Sequence, residues 1–307
     1  MTQPDLHLPQ VLAEVRQQAV DLGQSAWSEL GTLVDTLLPD PMEPTALLPI
    51  CTGMACGASC EQLVQPTAAL VIMAASLRIL DDCADEDNPD ALYLSVGMGR
   101  AAHAAAALSL VSAGTFAGSG TFLLEAYLQS YLRICQGQEE DIRGTARTLE
   151  AYCKVVESKT VVAFKFAALT GAWLSSSDEL AITRCRQCGV HLGWMTQILD
   201  DIEALWFPDS YSDLDCGRLT YPVLYGMEID HHQAPLLREL CAMEVYNTKQ
   251  ICAVLDNMGV RHHLISLALD HRDSALKMLD APLHGSGQSI LQIWLDWVFR
   301  DVRHLLY

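Results

Sequence analysis

The chain has 307 residues, is 50% hydrophobic and carries a formal net charge of −19. That length buries a large core, as one big domain or two small ones, and the composition is too apolar for disorder. The excess of carboxylates argues against nucleic acid or an anionic membrane surface as a partner. The polar start from Met1 to His7 lacks the pattern of a secretory signal, and no apolar run is expected to reach membrane-spanning length without a charge. A soluble cytoplasmic chain is the resulting expectation. Gln3 to Leu38 predicts an amphipathic helical opening, broken near Pro39 and Pro41. Leu47 to Ser59 reads as loop or short helix. Glu61 to Asp85 reads as a helix that tolerates Pro66 in its first turns, and Asn88-Pro89 as the break after it. Leu92 to Ser112 is an alanine-rich helix suited to close packing, and Gly118-Ser119-Gly120 is a turn. Helices over Thr121 to Arg143 and Thr145 to Trp173 follow. A capping box at Ser176-x-x-Glu179 opens another helix that runs to about Leu205. Pro208 to Gly217 is an acidic loop. Helical patterns then cover Tyr221 to Met227, Ala234 to Met258 and Arg261 to Leu279, and His284 to Gly287 forms a hinge before a last helix ending at Tyr307. No period-two pattern and no short repeat interrupts this series, so one all-α domain over residues 1–307 is predicted.

Two stretches carry chemistry. Val71 to Leu80 is apolar apart from Ser76 and Arg78, and it leads into Asp81-Asp82-Cys83-Ala84-Asp85. Residues i and i+4 share a helix face, so Asp81 and Asp85 point the same way with Asp82 beside them. Hard oxygen ligands in this arrangement suit magnesium, which usually takes one or two carboxylates and leaves its other positions to water and substrate phosphate. The pattern recurs where Trp194 to Leu199 leads into Asp200-Asp201. Either acidic pair alone also fits ordinary helix-end acids in solvent; two of them, each after a buried run, would hold a metal cluster if their helices faced one another. The eleven cysteines are odd in number and scattered, which reads as reduced thiols. Cys185-x-x-Cys188 with His191 has the look of half a zinc site, but it lies within a helical pattern and lacks a second half, so helix packing is its other reading.

These residues resemble the trans-isoprenyl diphosphate synthases, the polyprenyl synthetase family. The likeness covers roughly Glu61 to Pro222. It rests on Asp81-Asp82-x-x-Asp85-Glu86-Asp87, Gly137-Gln138-x-x-Asp141-Ile142, Lys159-Thr160, Gln197-Ile198-Leu199-Asp200-Asp201 and Gly217-Arg218-Leu219-Thr220-Tyr221-Pro222, the last with arginine in place of the family's lysine. The resemblance implies a helical bundle of the isoprenoid synthase type with a central cavity. It also implies an allylic prenyl diphosphate substrate, three magnesium ions and, commonly, a homodimer, for which Ala101 to Leu110 would suit an interface or equally the core. It makes Asp81, Asp85 and Asp200 the metal ligands, with Asp82 and Asp201 assisting. Lys159, Arg218 and Gln197 become the groups on the diphosphate, and Met73, Ser76, Leu77, Phe164 and Trp194 the pocket. Ser76 stands five residues before the first aspartate, where a bulky family side chain closes the prenyl pocket; a small one implies a C15 or C20 substrate.

The chain also departs from the family. Chain-elongating members bind isopentenyl diphosphate through cations before and after the first motif. Here no lysine, arginine or histidine occurs from Gln17 to Leu77, Ala74 stands near the family histidine, and Ala91 and Leu92 stand near the family arginine pair. Ala204 replaces the usual third aspartate of the second motif. Three readings remain open: a terpene synthase in which the allylic cation meets its own double bonds, a prenyltransferase with an aromatic or peptide acceptor, and a chain-elongating synthase with a rebuilt second site. A non-catalytic partner subunit is the fourth, against which the intact Asp81 to Asp85 motif counts.

Overall fold

A computed structural model describes residues 7–40, 42–86, 88–144, 146–176, 178–207, 214, 217–243, 246–279 and 291–296. Among them there is no strand: the elements are α1 (Leu8–Ala26), α2 (Ser28–Leu37), a 3-10 turn (Pro44–Leu47), α3 (Leu48–Ala55), α4 (Cys60–Asp85), α5 (Leu92–Val96), α6 (Met98–Gly118), α7 (Thr121–Ile142), α8 (Leu149–Val156), a π-helical turn (Glu157–Val161), α9 (Val162–Ser175), α10 (Glu179–Trp206), α11 (Tyr221–Glu228), α12 (Ala234–Cys241), α13 (Thr248–Asn257) and α14 (Val260–Met278). The all-α class is as predicted. The chain forms two compact units. The first takes residues 1–132, 164–189 and 278–298; the second takes 133–163, 190–277 and 299–307.

In the first unit the predicted opening helix is two helices. Trp27 is extended (φ −164°, ψ 153°) and ends α1. Each half buries one face, Val11, Leu12 and Val15 on α1 and Leu30 and Val34 on α2, which a straight helix would not allow against one neighbour. A Cβ on Gly31 would stand 2.7 Å from the Gln24 Cβ, so glycine is what lets the two helices approach. Arg16 ties them, with Nη1 2.8 Å from Asp35 Oδ1 and Nη2 donating to the Asp35 carbonyl at 2.7 Å. Next, α4 is capped where Gln62 Oε1 accepts the Ser59 N–H at 3.0 Å. It ends at Glu86, in the left-handed region at φ 55°. The predicted helix from Leu92 to Ser112 is broken at Gly97 and continues as α6 to Gly118. Ala101, Ala105 and Leu108 of α6 are fully buried, and the two helices are pinned by Ser112 Oγ donating to the Ala69 carbonyl (2.8 Å) and Ser76 Oγ to that of Ala105 (2.7 Å). Below them Leu70, Met73, Phe116, Leu123, Tyr127 and Phe166 form a core cluster.

By length and composition, α4 and α6 are both apolar enough to cross a membrane, contrary to the expectation that no run would qualify. The apolar window of α4 is 61% buried, as a core helix should be, whereas that of α6 is only 33% buried.

In the second unit, Tyr152, Val156, Val161 and Leu224 pack with Trp194, Leu219 and Tyr221. The helix predicted from Thr145 to Trp173 starts later, where Thr148 Oγ1 accepts the Ala151 N–H at 3.2 Å, and it carries the π turn. The pattern from Ala234 to Met258 is interrupted, and α13 restarts at Asn247, whose Oδ1 accepts the Gln250 N–H at 3.2 Å. The start of α10 belongs to the first unit, and there the cap is Asp178, whose Oδ1 accepts the Leu180 N–H at 2.9 Å, and not the predicted Ser176; Ser176 Oγ accepts the Asp178 N–H instead. Most of the predicted acidic loop from Pro208, the hinge from His284 and the end of the last helix lie outside the described residues.

Candidate active site

A cavity of about 220 Å³ in the second unit is walled by Asp141, Arg147, Tyr152, Lys159, Thr160, Gln197, Asp201, Arg218 and Thr220 among others. Four of the five sequence motifs therefore converge on one space, although they are scattered along the chain from Gly137 to Pro222. The local reasons are legible. Gly137 is buried against the π turn, where a Cβ would stand 2.9 Å from the Ser158 Cβ and 3.0 Å from the Lys159 N. Glycine here lets α7 touch the segment that carries Lys159-Thr160. The π turn itself widens the backbone at that point, as such insertions often do at functional sites. Lys159 Nζ sits 3.0 Å from Asp141 Oδ2, so the lysine of one motif is held by the aspartate of another.

Asp201 is 3% exposed, a burial that an ionised carboxylate tolerates only when hydrogen-bonded. Oδ1 accepts from the Tyr152 hydroxyl (2.8 Å) and from Gln197 Nε2 (2.8 Å); Oδ2 accepts from the Tyr152 hydroxyl (2.7 Å) and from the Tyr221 N–H (3.1 Å). Gln197 is fixed in turn, because its Oε1 accepts the Thr160 hydroxyl at 2.6 Å. Asp200, its neighbour on α10, is exposed to solvent. Even so, surrounding protein and the nearby Glu203 carboxylate push its carboxyl up to about 7. Both facts fit a side chain on a concave wall, crowded from the sides and open to water on one face. A divalent cation would favour its ionised form.

In the first unit, Asp81, Asp82 and Asp85 are all half-buried at the end of α4. Asp82 Oδ1 accepts from Asn88 Nδ2 at 2.9 Å, so the break after α4 helps to orient the motif. Among the described residues no three His, Cys, Asp or Glu side chains converge closely enough to hold an ion by themselves. Pairs of hard oxygens do fit magnesium, whose remaining positions go to water and phosphate. For the predicted pocket, Met73 and Ser76 are buried, Leu77 packs on the cluster around Phe166, and Phe164 is half-buried in the first unit. Ser76 Oγ also lies 2.9 Å from the Tyr131 hydroxyl. Trp194 belongs to the second unit and stacks on His271, with ring centroids 6.3 Å apart. The ten described cysteines are free; Cys185 Sγ faces Cys56 Sγ at 3.7 Å, and His191 Nδ1 faces His271 Nδ1 at 3.1 Å, so the zinc half-site is replaced by packing contacts.

Two cavity residues escaped the sequence reading. Tyr152 lies seven residues before Lys159, and Arg147 adds a third cation to the wall beside Lys159 and Arg218. Neither belongs to the motifs, and only the fold brings them in.

A family model described as polyprenyl synthetase matches residues 46–258. A protein from Cyanophora paradoxa described as a prenyl transferase is 28% identical over 158 residues, which span 49% of this chain and 48% of that protein. Tryptophan prenyltransferase ComQ of Bacillus subtilis subsp. natto is 27% identical over 154 residues, 50% of this chain and 47% of that protein. The matched region thus spans about half the length of either relative. Among solved structures, the geranylgeranyl pyrophosphate synthase of Corynebacterium glutamicum, complexed with calcium and isoprenyl diphosphate, superimposes with a TM-score of 0.78 at 20% identity, covering 98% of this chain and 99% of that one. With the family model spanning well over half of the sequence and the fold agreeing along nearly all of it, the chain belongs to the polyprenyl synthetase family.

Proposed function

We propose that this chain ionises an allylic prenyl diphosphate with magnesium and transfers the prenyl group to an acceptor other than isopentenyl diphosphate. The observation that carries this is the missing cation set from Gln17 to Leu77, which covers α2, α3 and most of α4. Arg16, the cation just before that stretch, is already engaged by Asp35. Asp81 and Asp85 in the first unit, and Asp200 in the second, would each take part in holding metal, which neutralises charge on a departing diphosphate. Lys159, Arg147 and Arg218 bind and orient that diphosphate from the cavity wall, and Gln197 is held in place by Thr160. An electron-rich ring such as an indole is the acceptor we favour, supported by the likeness to a tryptophan prenyltransferase. A second reading, cyclisation by a terpene synthase, is favoured by the half-buried rings of Phe164 and Trp194, whose faces stabilise cations. Incubation with geranyl, farnesyl and geranylgeranyl diphosphates and magnesium, with and without tryptophan-containing peptides, tests both. Prenylated peptide supports transfer, and a hydrocarbon or terpene alcohol without peptide supports cyclisation. Absence of diphosphate release under every condition overturns both.

We further propose a C15 or C20 substrate, from the small side chain at Ser76. Phenylalanine there is expected to shift preference towards the C10 substrate. It should also lower stability by about 1–3 kcal/mol, because the site is filled by Ala105 and Tyr131. Relative turnover of the three substrates checks the first effect and thermal melting the second; an unchanged preference would locate the pocket floor elsewhere.

A homodimer belongs to the same proposal. On α6, Ala102, Ala106 and Gly114 are exposed around Leu110 (72% exposed), and on α7 Leu132 is 69% exposed. Apolar surface of this kind marks an interaction site, and small residues allow close helix approach. Sedimentation is expected to give a dimer for the wild type and a monomer for Leu110→Arg; a wild-type monomer at all concentrations would contradict it.

A further inference from the structure

The second motif places two adjacent aspartates on α10, and the structure gives them different surroundings. Asp200 is open to water, whereas Asp201 is buried with its oxygens directed at three partners. An ionised carboxylate offers about four lone-pair sites, and three donors already meet Asp201, the single Tyr152 hydroxyl lying within reach of both oxygens. A metal ion would have to compete with them.

Those contacts join separate walls of one cavity. The Tyr152 hydroxyl comes from α8. Gln197 lies one turn before Asp201 on α10 and reaches the π turn through Thr160. The Tyr221 N–H is the first of α11, one of the donors that a helix start leaves unmet, and a carboxylate is favoured there by the helix dipole as well. Arg218, Leu219 and Thr220 immediately precede it and line the cavity.

We propose that Tyr152 is a positioning residue: its hydroxyl fixes the Asp201 carboxylate, which holds Gln197 and the start of α11, and so presents Arg218 and Gln197 to the diphosphate. Asp201 is on this account the strut of the second motif, and Asp200 its open acid. The assignment rests on the proposed function in taking a diphosphate as the ligand of this cavity. Losing a hydrogen bond to a buried charge is worth roughly a factor of ten or more in binding.

The test uses the full-length chain and the variants Tyr152→Phe, Asp201→Asn and their combination. Phenylalanine keeps the ring that packs on Val156 and Leu224. Asparagine keeps one oxygen for the Tyr221 N–H. The probes are inorganic diphosphate with magnesium, titrated calorimetrically, and steady-state turnover of an allylic diphosphate. Tyr152→Phe is expected to raise the Kd for diphosphate and the KM by about tenfold, with half-saturating magnesium within about twofold of wild type. The double variant should be no more than about twofold worse than the poorer single one, because both weaken the same Tyr152–Asp201 contact, one by removing the donor and the other by removing the charge it donates to. Unchanged Kd and KM in Tyr152→Phe would overturn the assignment. So would a loss confined to the amount of folded protein, or an Asp201→Asn variant whose main defect is a tenfold or larger rise in half-saturating magnesium. If the wild type binds diphosphate but turns over no allylic substrate, the reading of function fails while the binding comparison still decides the role of Tyr152. A wild type that binds no diphosphate overturns both.

Discussion

Alanine in place of Asp81 is expected to lower turnover of an allylic diphosphate by about a thousandfold or more, since losing a metal ligand removes several kcal/mol of charge stabilisation and each 1.36 kcal/mol is tenfold in rate. Asp85→Ala and Asp200→Ala should fall in the same class. Asp82→Ala should lose less, because its carboxylate is turned towards the Asn88 side chain at 2.9 Å. Melting temperatures should separate the two members of the second motif. Asp200 has one face open to solvent, and relief of its desolvation by surrounding protein, with a smaller contribution from the nearby Glu203 carboxylate, makes its loss thermally neutral or mildly stabilising. Asp201→Ala leaves buried donors on Tyr152, Gln197 and Tyr221 without their acceptor, at roughly 1–3 kcal/mol for each group left unmet. Diphosphate release measured with and without a chelator, alongside thermal melting, checks the whole series. Turnover that survives Asp81→Ala, or that ignores the chelator, would show that ionisation does not use these carboxylates.

The acids were legible in the sequence because charge after a buried helix is anomalous: Val71 to Leu80 and Trp194 to Leu199 each lead straight into an acidic pair. What could not be read was the division of labour within a pair. Asp200 and Asp201 are adjacent and identical in kind, and only the Tyr152 hydroxyl and the Tyr221 N–H, distant in sequence, make one a buried strut. Pairing over such separations has no period. Arg147 escaped for the same reason: an exposed arginine before a helix looks like any solvated charge until the cavity wall is assembled around it.

Helix existence was similarly easier to read than helix continuity. Nothing in the sequence around Trp27 breaks a helix outright, yet it is extended, because burying both Val15 and Val34 requires the chain to double back. The π turn at Glu157–Val161 is missed by a reading of Thr145 to Trp173 as one helix, because its extra residue shifts the 3.6-residue pattern by about 100° partway along, whereas one helix keeps a single phase throughout. Spacing to Glu179 alone points to Ser176 as the cap. The choice fell to Asp178 because it directly precedes Glu179, where the helix begins.

Isopentenyl diphosphate added to the full reaction is expected to produce no rapid elongation. Two diphosphates repel one another, and burying a multiply charged group without partners is prohibitive. On the proposed function, metal on the carboxylates would serve the allylic diphosphate, so the other would have to be received by protein cations. None occurs from Gln17 to Leu77, and the Arg16 guanidinium donates to both the side chain and the carbonyl of Asp35. Ala91, near the expected arginine pair, is buried and apolar. Arg78 is the exception: it is exposed on α4, three residues before Asp81, and so can share the face of the first motif. A single guanidinium is a poor replacement for the set of cations that the family resemblance implies for elongation, and if it alone received the second diphosphate, Arg78→Ala would remove whatever slow elongation exists without changing release from the allylic substrate alone. The decisive measurement is product mass after incubation with farnesyl diphosphate and magnesium, with and without isopentenyl diphosphate. Longer prenyl diphosphates formed at rates comparable to the release of inorganic diphosphate would overturn the proposed function in favour of chain elongation. Release that is indifferent to isopentenyl diphosphate, and that rises with an indole-bearing peptide, is the expected outcome.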